Sequence, residues 1–327
     1  MHKILKKVRK LAKIRAKTIV FPEGTEERIL HATREIQKKR LAKIILLGSV
    51  KEIKKNALAL KIKLNYEKLI IIDPKKNKYK EKFAQELYEI RKDKGLTKPK
   101  AKRLIEDINY FGTILVHMGI ADGMVTGTTF STADSIRPAL QIIKTKEKFH
   151  KVSGVFFMIM ENRLMLFADT AITIEPNSHD LKDITLDTIQ TAEKLGIKPK
   201  VALLSFSTKG SAQHPNIDKI REAVAMIKSE RPDVTIDGEL QIDAALVASV
   251  AERKCPKSPI QGNANILIFP DLQSANIAYK LTERLAKAKA IGPILQGLKK
   301  PINDLSRGCS YEDIVNVTAF TACECED

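Results

Sequence analysis

The chain has 327 residues, 43% hydrophobic and 29% charged, with four cysteines and a formal net charge of +18. That length exceeds what one core ordinarily serves, so two domains are expected, and a small disulfide-stapled scaffold is excluded. The surplus charge is local, since residues 1–100 hold 30 basic and 11 acidic side chains against 27 and 28 in the remainder. The absence of Trp and of any zinc-finger, RNP or helix-turn-helix signature argues against a nucleic-acid partner. Solvated Lys-rich helix faces that steer an anionic ligand fit the charge better.

Residues 1–17 interleave Lys and Arg with single apolar residues, which predicts a short basic amphipathic helix and no secretory signal. The longest apolar run, 155–160, is strand-sized and too short for a bilayer, so no membrane partner is expected. Cys255, Cys309, Cys323 and Cys325 are too scattered for a zinc site, apart from the Cys323/Cys325 pair in the final acidic turn, and read as reduced thiols in a cytoplasm.

Thr18-Ile19-Val20-Phe21-Pro22-Glu23-Gly24 is a buried strand ending in a turn, and a helix follows over 26–39. Ile44-Ile45-Leu46-Leu47-Gly48 and Leu69-Ile70-Ile71-Ile72-Asp73-Pro74 are further β-branched runs closed by Gly or Pro, with 51–59 helical between them. Apolar strands alternating with amphipathic helices predict an α/β fold with a parallel sheet covered on both faces. Residues 78–119 carry no strand-like run and read as helices, with a Gly stop at Gly95 after Arg91. From 121 a short strand passes through Gly127-Thr128-Thr129 into a helix starting at Ser131 or Thr132. Hydroxyls and amides there suit phosphate or carboxylate, and serve equally as ordinary N-caps.

The texture changes at 151. Residues 155–160 and 164–169 read as an antiparallel pair turned at Glu161-Asn162-Arg163, and strands at 201–207, 234–240 and 266–271 alternate with helices near 178–195, 212–229 and 272–287. This is a second α/β domain, from which a last strand over 290–298 is expected to return the chain to the first. Residues 301–313 then concentrate the chemistry. Pro301 and Asn303-Asp304 break the preceding apolar run, Gly308 permits unusual backbone shapes, and Ser310 with Asp313 resembles a capping box opening a helix. A loop carrying Ser306, Arg307 and free helix N–H groups can receive an anion. On spacing alone a bland reading stands beside it, with Ser310 and Asp313 as caps and Arg307 as a surface ion. This loop and the 121–137 segment are expected to face each other across an interdomain cleft.

Several stretches together resemble one family, the phosphate acetyl/butyryltransferases. They include Phe21-Pro22-Glu23-Gly24, Arg91-Lys92 with Lys94-Gly95, Ser131-Thr132-Ala133-Asp134 through Arg137-Pro138, Leu204-Ser205-Phe206-Ser207-Thr208-Lys209-Gly210-Ser211, Asp237-Gly238-Glu239-Leu240-Gln241, Ile268-Phe269-Pro270-Asp271-Leu272, Gly292-Pro293-Ile294-Leu295 and residues 303–313. The resemblance implies two α/β domains with mostly parallel sheets flanked by helices, like isocitrate and isopropylmalate dehydrogenases. The first would be 1–150 with 302–327, the second 151–301, and the active site would lie in the cleft between them. It also implies reversible acetyl transfer between coenzyme A and phosphate, with no metal or redox cofactor, coenzyme A being a substrate, in a homodimer coupled functionally to acetate kinase. Two departures are visible. Phe130 stands where the family commonly has His, and Ala275 and Ala278 stand where it has Gly.

For direct acyl transfer between a thiol and a phosphate oxygen, Asp313 is the expected base, and Ser306 with neighbouring amides would stabilise the oxyanion. Arg307, Arg137 and Arg91 offer planar bidentate donors to phosphate, with Gly127, Thr128, Ser131 and Thr132 as further substrate-binding positions. Competing readings are a covalent route through Cys309, propionyl or butyryl transfer, a non-catalytic acyl-CoA-sensing module, and a decarboxylating dehydrogenase whose acidic metal cluster is not seen in the sequence. His179 and His214 read as loop residues.

Overall fold

The computed structural model describes residues 3–146, 151–161 and 163–325. The chain divides into two compact units, Met1–Thr145 with Leu298–Asp327, and Lys146–Gly297. The sequence reading sets these breaks near 150 and 301.

The first unit opens with helix α1 (Lys3–Arg15), which buries Ile4, Leu5, Val8 and Ala12 on one side and carries its cations on the other. Strand β1 (Thr18–Phe21), α2 (Glu27–Lys39), β2 (Lys43–Leu47), α3 (Val50–Ala59) and β3 (Leu69–Ile72) follow. Three helices, α4 (Lys80–Arg91), α5 (Lys98–Leu104) and α6 (Ile108–His117), lead to β4 (Gly123–Thr126) and α7 (Thr132–Ile142). The second unit contains β5 (Ser153–Ile159), β6 (Leu164–Ala168), α8 (Ser178–Lys194), β7 (Lys200–Leu204), α9 (Pro215–Glu230), β8 (Thr235–Leu240), α10 (Ile242–Leu246), α11 (Ala248–Lys254), β9 (Ile266–Ile268), α12 (Leu272–Leu285) and β10 (Lys289–Gln296). The chain then re-enters the first unit as β11 (Ile302–Asp304) and α13 (Tyr311–Glu324).

The first sheet has the order β11-β4-β1-β2-β3, and every pairing in it is parallel. Helices α1, α2 and α13 pack together on one face, and α4, α6 and α7 on the other. Covered on both sides, β1 buries Ile19, Val20 and Phe21 completely, which is why its sequence is an unbroken apolar run and not an alternating one. The second sheet, β10-β5-β6-β9-β7-β8, is antiparallel across β10, β5 and β6 and parallel beyond them.

The structure departs from the sequence expectation in three places. Strand β10 does not return the chain to the first unit; it pairs antiparallel with β5 at the edge of the second sheet. The return is made by β11, which includes the Asn303 and Asp304 read as a break. Its pairing with β4 and a 2.8 Å bond from the Asn303 amide to Thr321 Oγ1 hold these weak strand formers in a buried ladder. Helices α10 and α11 were not anticipated, being too short to show a period. The turn expected at Glu161-Asn162-Arg163 includes Asn162, which lies outside the described residues.

In the second unit the stretches 204–211 and 237–241 meet at Glu239, whose side chain is almost wholly buried. It accepts from Arg221 Nε at 2.9 Å and Nη2 at 3.0 Å, from the Gly210 amide at 2.7 Å and from Ser207 Oγ at 3.2 Å. Burial alone would raise its pKa, but the Arg221 hydrogen bonds and the Gly210 amide outweigh burial and hold it at about 2. A depressed carboxylate contributes stability above its ordinary value near 4.5 that is lost as the pH falls through 2. Glu239→Gln should therefore cost about 3 kcal/mol at pH 7, with the gap to the parent narrowing below pH 5; a melting series over pH 2–7 measures this.

Candidate active site

From β1 the first sheet grows in both directions, through β2 to β3 on one side and through β4 to β11 on the other. The loops leaving β1 and β4 diverge at this reversal, and open α/β sheets bind ligands at the carboxyl ends of strands where the order reverses. The loop after β11 emerges beside the loop after β4. The 121–137 and 306–313 segments are thus neighbours along one sheet edge, and not the opposing walls that the sequence reading set across a cleft.

Arg28, in the first turn of α2, ties three loops together. Its Nη1 donates to the carbonyls of Arg307 at 2.7 Å and Cys309 at 3.0 Å, its Nη2 to the carbonyl of Thr128 at 2.9 Å, and its Nε to Glu26 Oε1 at 2.6 Å. Burial works against this charge, but the hydrogen bond and charge of Glu26 more than compensate and raise the guanidinium pKa. Beside it the buried Glu23 spans the reversal point from β1 to β4, with its Oε1 accepting from the Thr129 amide at 2.9 Å and the Thr129 hydroxyl at 3.1 Å. Arg28 was not singled out from the sequence, where it is one Arg in a basic helix. In the sequence Glu23 stands only as part of a strand-end motif.

Gly127 follows β4 with φ +101°, and a Cβ there would lie 2.2 Å from Asp304 Oδ1 and 2.7 Å from the Leu305 amide nitrogen. Only glycine lets the two loops approach this closely. Asp304, 2% exposed, ends β11 with its Oδ1 lacking a hydrogen-bond partner. Burial raises its carboxyl pKa to about 6, against the hydroxyls of Ser135 and Thr132, and the nearby charge of Glu23 adds to the rise. Thr128 is likewise buried with Oγ1 unpartnered.

The expected site residues fall into two groups. Ser131 caps α7, accepting the Asp134 amide at 3.2 Å and donating to Asp134 Oδ2 at 2.7 Å, while Asp134 Oδ1 stands 3.3 Å from Arg137 Nη1. Thr132 is the first residue of the helix and exposed. The capping box at α13 is formed in full, with the Ser310 amide and hydroxyl donating to Asp313 Oδ2 at 3.0 and 2.8 Å and the Asp313 amide donating to Ser310 Oγ at 3.2 Å. The structural role of Asp313 is therefore present, and its Oδ1 has no hydrogen-bond partner among the described residues. Ser306 accepts the Gly308 amide at 3.2 Å, which leaves its hydroxyl hydrogen free to donate. Arg307 is exposed, with no ion pair among the described residues.

Arg91 and Arg137 form the second group. Both charges act on the hydroxyl of Tyr110, which donates to Gln141 Oε1 at 2.8 Å and has its pKa raised chiefly by burial. Helix α7 links the two groups, since its cap belongs to the first and its second turn to the second. Burial pushes the Cys309 thiol up to about 11, so it remains protonated at neutral pH. His214 accepts the Asn216 amide through Nδ1 as the cap of α9.

At the same edge a cavity of about 400 Å³ opens over β1, β2 and β3, lined by Glu23, Glu26, Glu52, Asp73 and Glu106 against Lys75. Its carboxylates repel an anion, whereas the rim formed by the α7 and α13 N-termini, Ser306 and Arg307 presents donors and a positive charge.

A carboxyl whose native pKa is raised contributes stability that is present below its ordinary value and lost as the pH rises through 6. Asp304→Asn, which mimics the neutral acid, should be more stable than the parent by about 2 kcal/mol at pH 8 and level with it near pH 4. Melting temperatures of the pair from pH 4 to 8 test this.

Residues 3–322 match the family described as phosphate acetyl/butaryl transferase. The phosphate acetyltransferase of Thermoanaerobacterium thermosaccharolyticum is 50% identical over 330 residues, covering 99% of both chains. Among solved structures, a phosphotransacetylase from Streptococcus pyogenes matches with a TM-score of 0.94 and 44% identity, covering 99% of each chain. A 4-hydroxythreonine-4-phosphate dehydrogenase from Klebsiella pneumoniae shares the fold alone, at 13% identity and a TM-score of 0.57 over 94% of this chain and 98% of its own.

Proposed function

The chain belongs to the phosphate acetyl/butaryl transferase family and catalyses reversible acetyl transfer between coenzyme A and phosphate; we propose that it does so by direct thiolate attack at the sheet edge held by Arg28. The observation that carries this reading is the convergence on that edge of Ser306, Arg307 and the N-termini of α7 and α13.

The coenzyme A thiol, near its ordinary pKa of about 8.5, is mostly protonated at neutral pH and needs a base as it attacks the acetyl carbonyl. We assign that role to Asp313, whose Oδ2 is engaged by Ser310 while Oδ1 stays available. The thiol sulfur bonds to the carbonyl carbon, its proton passes to Asp313, and the tetrahedral oxyanion collapses to release phosphate. Ser306 and the adjacent amides stabilise the oxyanion, and Arg307, with Arg137 and Arg91, receives phosphate. Gly127, Thr128, Ser131 and Thr132 form the neighbouring wall. The protonated Cys309 supports direct transfer over a covalent acyl-enzyme.

Coenzyme A enters as a substrate, and no cofactor is assigned. We read the protein as a cytoplasmic homodimer. Supporting the dimer, Ile277, Leu281 and Leu285 form an exposed apolar stripe, one turn apart, on α12. Acetyl phosphate would pass to an acetate kinase or another enzyme that consumes it by phosphoryl transfer.

Phosphate-dependent release of coenzyme A from acetyl-, propionyl- and butyryl-CoA tests the substrate. Asp313→Asn tests the base: turnover should fall by about 10² to 10⁴ with the melting temperature nearly kept, and part of the rate should return towards pH 9 as thiolate forms. A loss that tracks unfolding would leave Asp313 as a cap alone.

A further inference from the structure

At the N-terminal edge of the same sheet, remote from the site by the length of its strands, a cavity of about 940 Å³ opens between the end of α2, the start of β2 and the segment entering β3. Small-molecule sites typically occupy roughly 300–1,000 Å³. Seven cations line it against one carboxylate, Glu67. Arg34 is paired with Glu35, but Lys13, Lys38, Arg40, Lys43, Lys63 and Lys68 have no ion pair among the described residues. The helix dipole accounts for Lys13 and Lys38, which sit in the last turns of α1 and α2. It does not account for Lys43, which opens a strand, or Lys63, which lies in a loop.

Two further features make this more than a charged surface. The Gln37 amide donates to the Asn65 carbonyl at 2.9 Å and accepts the Asn65 amide at 3.0 Å, so the segment carrying Lys63 and Lys68 is fixed against α2 before any ligand arrives. The cavity wall also includes Ile70, which is 54% exposed on the edge strand β3 and lies next to Leu69. Cations around an exposed apolar side chain match a ligand with several negative charges and a flat apolar part. A half-open hollow of this size holds one such molecule, and the sequence carries none of the aromatic or motif signatures of a nucleic-acid binder.

We propose that this cavity binds a nucleoside polyphosphate, with its phosphates on Lys38, Arg40, Lys43, Lys63 and Lys68 and its base against Ile70. Anisotropy titration of the full chain with an N-methylanthraniloyl derivative of ATP tests it, using ATP, inorganic triphosphate and poly(U) as competitors. The expected result is saturable binding at one site that ATP displaces and that weakens steeply with salt. The exposed double variant Lys43→Glu/Lys68→Glu should weaken it on the order of tenfold or more while keeping acetyl transfer and melting temperature, and Arg307→Ala should leave it unchanged. Each of four results would overturn the assignment: no saturable binding, binding untouched by the double charge reversal, binding lost in Arg307→Ala, or inorganic triphosphate or poly(U) displacing the probe as readily as ATP.

Discussion

One guanidinium holds three loops at one edge of the first unit in register. The Arg28 fork reaches backbone carbonyls in the loops after β4 and β11 while Glu26 anchors its remaining edge within the loop after β1. Three carbonyls that no helix or sheet ladder would satisfy thereby gain charged donors, and the loops that carry Ser306, Arg307, Ser131 and Thr132 are set in one arrangement. A lysine ammonium has no fixed planar fork and cannot serve these acceptors with the same geometry.

This clamp sits over an unusual balance of charge. Glu23 and Asp304 lie buried beneath loops read as receiving phosphate, and Asp304 keeps an unpartnered oxygen at the spot a Cβ on residue 127 would fill. Burial makes the Asp304 anion costly, which is what lifts its pKa to about 6. The sheet edge thus separates into a carboxylate-lined hollow over β1–β3 and a donor-rich rim over β4 and β11. At the opposite edge the signs are reversed, with cations around a larger hollow.

The alternation of β-branched runs with amphipathic helices made the α/β class legible, and the boundaries of α2, β4 and α7 follow from Pro, Gly and cap residues that act locally. The capping box at Ser310 and Asp313 was legible for the same reason, since both partners lie within one turn. Strand β11 was not, because Asn303 and Asp304 lack strand propensity and are held by β4 and Thr321, contacts far away in sequence. Arg28 was invisible for a related reason: apart from Glu26 its partners are 100 and about 280 residues away, and nothing in its own helix distinguishes it from a solvated cation. The family resemblance named Ser306, Arg307 and Asp313. It did not show that they depend on a residue in the second helix.

The most direct test of that dependence is the steady-state kinetics of Arg28→Lys in phosphate-dependent coenzyme A release, measured beside its melting temperature. If Arg28 positions the loops, kcat/KM should fall by about 10²-fold, because displacements near 1 Å at a reacting centre cost that much, while the variant remains folded at the assay temperature. Parent-like kcat and KM would contradict the positioning role and reduce Arg28 to a structural ion.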